Sequence, residues 1–82
     1  MSTSAAHRPQ TAALAVSTRC DDDRLHVELA DGREVSAPLE WFPLLRDASP
    51  EQRANWCLIG QGIGIHWPDV DEDISVETLL KL

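Results

Sequence analysis

The side chains open to a chemical reading are three histidines, two cysteines, a glycine-rich stretch and an acidic stretch. His26 sits in Leu25-His26-Val27-Glu28-Leu29 and His66 in Ile63-Gly64-Ile65-His66-Trp67. Both alternate with apolar residues, so both should face away from the core side of a strand. On neighbouring strands the two imidazoles would come together, and with Cys57 or an aspartate they would make a metal or small-ligand site. No ligand pair has zinc spacing, so a polar sheet face is the favoured reading. His7 belongs to the N-terminal tail. Cys57, between Trp56 and Leu58, reads as a small packing residue. Cys20 precedes Asp21, Asp22 and Asp23, whose charges raise a thiol's pKa and make it a poor nucleophile.

Gly60-Gln61-Gly62-Ile63-Gly64 has the look of a phosphate loop. A dinucleotide fingerprint needs a third glycine at the sixth position and a helix after it. Here the sixth residue is Ile65 and a strand follows, and no Lys-Ser/Thr pair completes a Walker pattern. A structural turn is the better reading. Asp69-Val70-Asp71-Glu72-Asp73 resembles the start of a calcium loop, but the required glycine and bidentate glutamate positions hold Ile74 and Leu80. No Ser/His/Asp arrangement is evident. The reading is therefore no catalytic residues, no metal ligands, no cofactor and no enzyme activity.

These side chains need a frame. Ala13 to Arg19 suits a first strand, and Asp21 to Asp23 an exposed turn. Leu25, Val27 and Leu29 give Arg24 to Leu29 the period of a half-buried strand. Asp31-Gly32 signals a tight hairpin in which both central residues take positive φ, returning through Arg33 to Ala37. Pro38 ends that strand. Pro43 suits the first turn of a short helix within Leu39 to Arg46. Ser49, Pro50 and Gln52 make a capping box that starts a helix over Pro50 to Asn55. Trp56 to Ile59 reads as a buried strand and Ile63 to Trp67 as a last one. Asp69 to Asp73 follows as an acidic loop. Ser75 caps a final helix with Val76, Leu79 and Leu80 as its apolar stripe. The order β-β-β-α-β-β-α predicts an α+β domain over residues 12–82: a five-stranded, mainly antiparallel sheet with short helices on one face. Residues 1–11 read as a disordered tail.

Fourteen acidic against seven basic residues give a net charge of −7. Lys81 is the only lysine, and the arginines are scattered. Phosphate neutralisation supplies most nucleic-acid affinity, so direct nucleic-acid binding is not expected. An acidic surface suits a partner with a basic one. No apolar run approaches the roughly 20 residues of a membrane helix, and the N-terminus lacks the pattern of a secretory signal. Two cysteines are too few for a disulfide framework, so the thiols should be reduced and the protein cytoplasmic. Trp41, Trp56 and Trp67 are three of four aromatic residues. Trp56 and Trp67 read as core. Trp41, beside Phe42 and bracketed by prolines, is the best interface candidate.

Taken together, several stretches resemble a small bacterial family known as domain of unknown function 2442 (DUF2442). They are Leu25 to Leu29, Asp31-Gly32-Arg33, Pro38-Leu39-Glu40-Trp41-Phe42-Pro43, Ser49 to Ala54, Gly62 to Pro68 and Asp71 to Ile74. The resemblance implies a compact α+β domain without established catalytic residues. Some members look like small partners of neighbouring toxin-like proteins, which implies an antitoxin-type role. Others carry a C-terminal helix-turn-helix; with no residues after Leu82 here, that route to DNA binding is not expected. The leading reading is an acidic, non-catalytic protein-binding module. Trp41 and Phe42 would be its apolar anchors, and Asp69, Asp71, Glu72 and Asp73 its charge complement. The alternatives are a metal- or small-ligand sensor using His26 and His66, and a homo-oligomer paired through strand edges.

Overall fold

The computed structural model describes residues 13–82; the expected tail over 1–11 lies outside the described residues. The chain forms β1 (Ala15–Cys20), β2 (Arg24–Leu29) and β3 (Glu34–Pro38), then a 3-10 turn (Leu39–Trp41). Helices α1 (Pro43–Arg46) and α2 (Pro50–Ala54) follow, then β4 (Cys57–Ile59), β5 (Gly64–Trp67), β6 (Glu72–Ser75) and α3 (Val76–Lys81). This is an α+β fold, but not one five-stranded sheet. It has two separate three-stranded antiparallel sheets, β1-β2-β3 and β4-β5-β6.

Two local features explain why the sheets do not merge. The Ala15 N–H donates to the Gly62 carbonyl at 2.7 Å, so the second sheet's turn does reach β1. Gly62 has a φ of 110° and the chain swings away after that bond, so no ladder propagates. On the β1 side, pairing skips from Ala15↔Leu29 to Ser17↔Glu28, leaving Val16 as the extra residue of a bulge. The bulge changes which residues of β1 face inward. Ala15 and Thr18 are both buried, a spacing that plain alternation forbids.

The inner faces meet in one core. Leu25, Val27 and Leu29 of β2 pack with Ile65, Trp67 and Ile74 of the second sheet, and Leu39, Leu45, Val76 and Leu79 from the helical segments close it. Trp67 is fully buried, and its Nε1–H donates to the Arg53 carbonyl at 3.1 Å, which satisfies its one polar atom. Arg53 in turn donates from Nε to the Leu45 carbonyl (2.8 Å) and from Nη2 to that of Arg46 (2.6 Å), closing the end of α1. The expected capping box is present: Ser49 Oγ accepts from the Gln52 N–H, and Gln52 Oε1 accepts from that of Ser49.

Three further expectations are corrected. At the first hairpin only Gly32 takes positive φ, and Leu29 N–H pairs with the Arg33 carbonyl. The loop therefore has three residues, a turn ending in a left-handed glycine, rather than a two-residue turn. The acidic loop is half strand: Glu72 and Asp73 begin β6, and only Asp69 and Asp71 lie in the turn before it. Leu80 is exposed, because a six-residue helix turns only Val76 and Leu79 inward. No helix among the described residues is long and apolar enough to cross a membrane.

Candidate functional site

His26 and His66 occupy different sheets and contact different carboxylates. His26 lies between Arg19 and Ser36 on the outer face of the first sheet, where Glu34 also lies. Its Nε2 contacts Asp21 Oδ2 at 2.7 Å, and its Nδ1 faces Glu34 Oε1 at 3.6 Å. Nδ1 is buried without a hydrogen-bond partner. Arg19 reaches across β2 to Glu34 at 2.9 Å. Asp21 is held down to about 2, first by the His26 hydrogen bond and then by the N–H groups of Asp23 and Arg24. This cluster ties three strands and the β1–β2 turn together.

In the second sheet, Cys57, His66 and Asp73 face one another in register across β4, β5 and β6. His66 Nδ1 contacts Asp73 Oδ1. Thiol, imidazole and carboxylate thus stand in a row, an order that residue spacing alone did not reveal. No hydrogen bond joins Cys57 to His66 among the described residues, so the row lacks the nucleophile–base contact that thiol activation uses. No group of three His, Cys, Asp or Glu side chains among the described residues is placed to hold a metal. Cys20 and Cys57 are both free thiols. Burial pushes the Cys20 thiol up, with Asp21 a smaller contributor, and Arg53 opposes both. Sequence reasoning named the charge and missed the burial.

Among the described residues, a groove of about 450 Å³ lies beside β6. All four β6 residues, Glu72 to Ser75, line it together with Phe42, Ile59, Ile63, Gly64 and Thr78. Alternate residues of a strand point to opposite faces. Ser75, Gly64 and Ile59 are neighbours in register on β6, β5 and β4, so the groove runs from β6 across the sheet. Gly64 has no side chain, which opens the groove over β5 towards Ile59. Two carboxylates, Glu72 and Asp73, are the charged groups lining it.

Three of the six anticipated binding residues therefore come together: Phe42, Glu72 and Asp73. The other three do not line the groove. Trp41 is 55% exposed at the end of the 3-10 turn. Asp69 accepts from Asn55 Nδ2 at 3.0 Å, and Asp71 holds a positive φ of 54° in the turn. Alternation predicts that Ile63 faces the core, but it is 57% exposed, and the turn through Gly62 delivers it to the groove instead. Ile59 and Thr78 were also missed, because their placement depends on β6 being a strand.

The comparisons bear on fold and family. No curated protein matches the chain. A crystal structure of a protein of unknown function from Rhodospirillum rubrum is similar at 30% identity and a TM-score of 0.74, covering 87% of this chain and 88% of that one. The family model described as "Protein of unknown function (DUF2442)" matches residues 15–82, which span every strand and helix described above, and the chain belongs to that family.

Proposed function

We propose that this chain is an acidic, non-catalytic protein-binding module that covers a basic functional surface of a partner, as an antitoxin covers its toxin. The observation that carries the reading is the groove beside β6, where apolar Phe42, Ile59 and Ile63 meet the carboxylates of Glu72 and Asp73. An apolar centre with a charged border is how binding surfaces divide affinity from specificity. Trp41, outside the groove and more than half exposed, is a second apolar contact at its periphery. Asp69 and Asp71 extend the negative potential from the Glu72 end of the strand, and the net charge of −7 favours a basic partner at long range.

The test is affinity capture from the source cells with the tagged full chain, run beside Ile63→Glu and Glu72→Lys variants in low and high salt. Both positions lie on the surface, so both variants should fold. The reading expects one stoichiometric basic partner, released by salt and lost by each variant. Capture that is indifferent to both substitutions, or no stoichiometric partner at all, contradicts it.

A further inference from the structure

We infer that Cys57 and His66 form a binding site for a divalent cation of the zinc class, with Asp73 as the positioning residue behind the imidazole. The inference goes beyond the proposed function and does not rest on it. It starts from the row across the second sheet. Cys57 pairs with His66, and His66 with Asp73, so the three side chains stand on one face of neighbouring strands. The adjacent row, Leu58, Ile65 and Ile74, packs into the core. The Cys57 row therefore faces outward. Cys57 is exposed, and the side chains of His66 and Asp73 are 32% and 65% exposed.

The ring of His66 decides which donor is free. An ionised carboxylate only accepts, so the Nδ1 that meets Asp73 Oδ1 carries the proton. In the neutral ring the lone pair is then on Nε2. Nδ1 faces β6, so the opposite edge of the ring, Cδ2 and Nε2, faces β4 and Cys57. Among the described residues no hydrogen bond engages Nε2, and Cys57 is a free thiol. Carboxylate–histidine–metal triads have this arrangement: the carboxylate fixes the tautomer and ring orientation and raises the basicity of the other nitrogen. Directly paired residues of neighbouring strands have Cβ atoms about 4.5–5.5 Å apart. A cation above that pair reaches a thiolate at about 2.3 Å and an imidazole nitrogen at about 2.0–2.1 Å.

The donor set selects the ligand. Thiolate with imidazole suits zinc, whereas calcium and magnesium take oxygen ligands. Asp73 is engaged on Nδ1, so the chain offers the cation two donors and not three. The remaining positions of a tetrahedral ion are open to water or to an outside donor. The net charge of −7 draws cations towards the protein. On binding, the Cys57 S–H bond breaks, the sulfur's electron pair forms the bond to the metal, and the proton passes to solvent.

The experiment titrates the reduced, metal-free full chain with zinc by calorimetry, and with cobalt by absorption, where a bound thiolate gives a charge-transfer band in the near ultraviolet. The inference expects that band, one metal per chain and proton release. Cys57→Ser should abolish the band, and Cys57→Ser and His66→Gln should each weaken zinc binding by about tenfold or more. Asp73→Ala should keep the band while weakening binding about 10–100-fold, which separates a positioning residue from a ligand. Cys20→Ser and His7→Gln should bind as wild type does. Alkylation of the wild type, mapped by mass spectrometry, gives a second reading without any variant: zinc should slow modification of Cys57 and leave Cys20 unaffected. Absence of a charge-transfer band, a band that survives Cys57→Ser, or zinc affinity unchanged in His66→Gln overturns the inference. Each of these outcomes leaves the capture experiment to judge the proposed function separately.

Discussion

Gly62→Ala should damage this protein more than any other single methyl group added to a glycine turn. Gly62 sits at φ 110°, and an added Cβ would lie 2.3 Å from the Ala15 carbonyl oxygen and 3.0 Å from the Ala15 nitrogen. Both neighbours are backbone, so no rotamer change relieves the overlap. The conformational strain is about 1–3 kcal/mol, the overpacking adds about 1–3 kcal/mol, and losing the 2.7 Å Ala15–Gly62 hydrogen bond adds about 1 kcal/mol. A total of about 5 kcal/mol compares with about 4–12 kcal/mol for the whole domain. Gly32→Ala is the internal control. Gly32 also has positive φ, 95°, but nothing lies within 4 Å of its added Cβ, so only the strain of about 1–3 kcal/mol applies. Urea unfolding followed by tryptophan fluorescence reads both variants. At a slope of about 1 kcal/mol per M, Gly62→Ala should unfold about 3 M earlier than Gly32→Ala, or show no folded baseline. Equal midpoints would refute the claim that the two sheets are fastened where Gly62 meets Ala15.

Three other substitutions have predictable effects. Ser49→Ala opens the capping box of α2 and should cost about 1 kcal/mol in the same urea assay. Arg53→Ala removes two hydrogen bonds to the Leu45 and Arg46 carbonyls and should cost about 2 kcal/mol, with Trp67 fluorescence altered because its indole bonds the Arg53 carbonyl. Asp21 has a folded pKa of about 2, below its ordinary value of 3.8, so its contribution is present above pH 3.8 and lost as pH falls towards 2. The stability difference between wild type and Asp21→Asn should shrink across that interval, and a difference that stays constant down to pH 2 would count against the Asp21–His26 contact.

The local elements of this fold were legible in the chain because their signals are local. Alternation at Leu25, Val27 and Leu29 marks β2, and Ser49-Pro50-Glu51-Gln52 spells out a capped helix start. What was not legible depended on distant backbone. Nothing in Ala15-Val16-Ser17 announces a bulge, since the extra residue is defined only against β2. β6 was hidden because Glu72 and Asp73 have low strand propensity and Ile74 is its single apolar residue; tertiary pairing with β5 overrides that preference. Missing β6 turned two sheets into one expected sheet and left the groove unseen. Phe42, Glu72 and Asp73 were named from chemistry and charge, but their meeting point required the edge strand. Trp41, Asp69 and Asp71 were named on the same grounds and lie outside the groove.

If the β6 groove binds a basic partner through its carboxylates, Glu72→Lys must weaken that binding. Calorimetric titration of the captured partner into wild-type and Glu72→Lys proteins, at low and high salt, measures this. Binding should be about tenfold weaker for the variant at low salt, with the gap narrowing as salt screens both proteins. Equal affinities for the two proteins at low salt would rule out binding through these carboxylates.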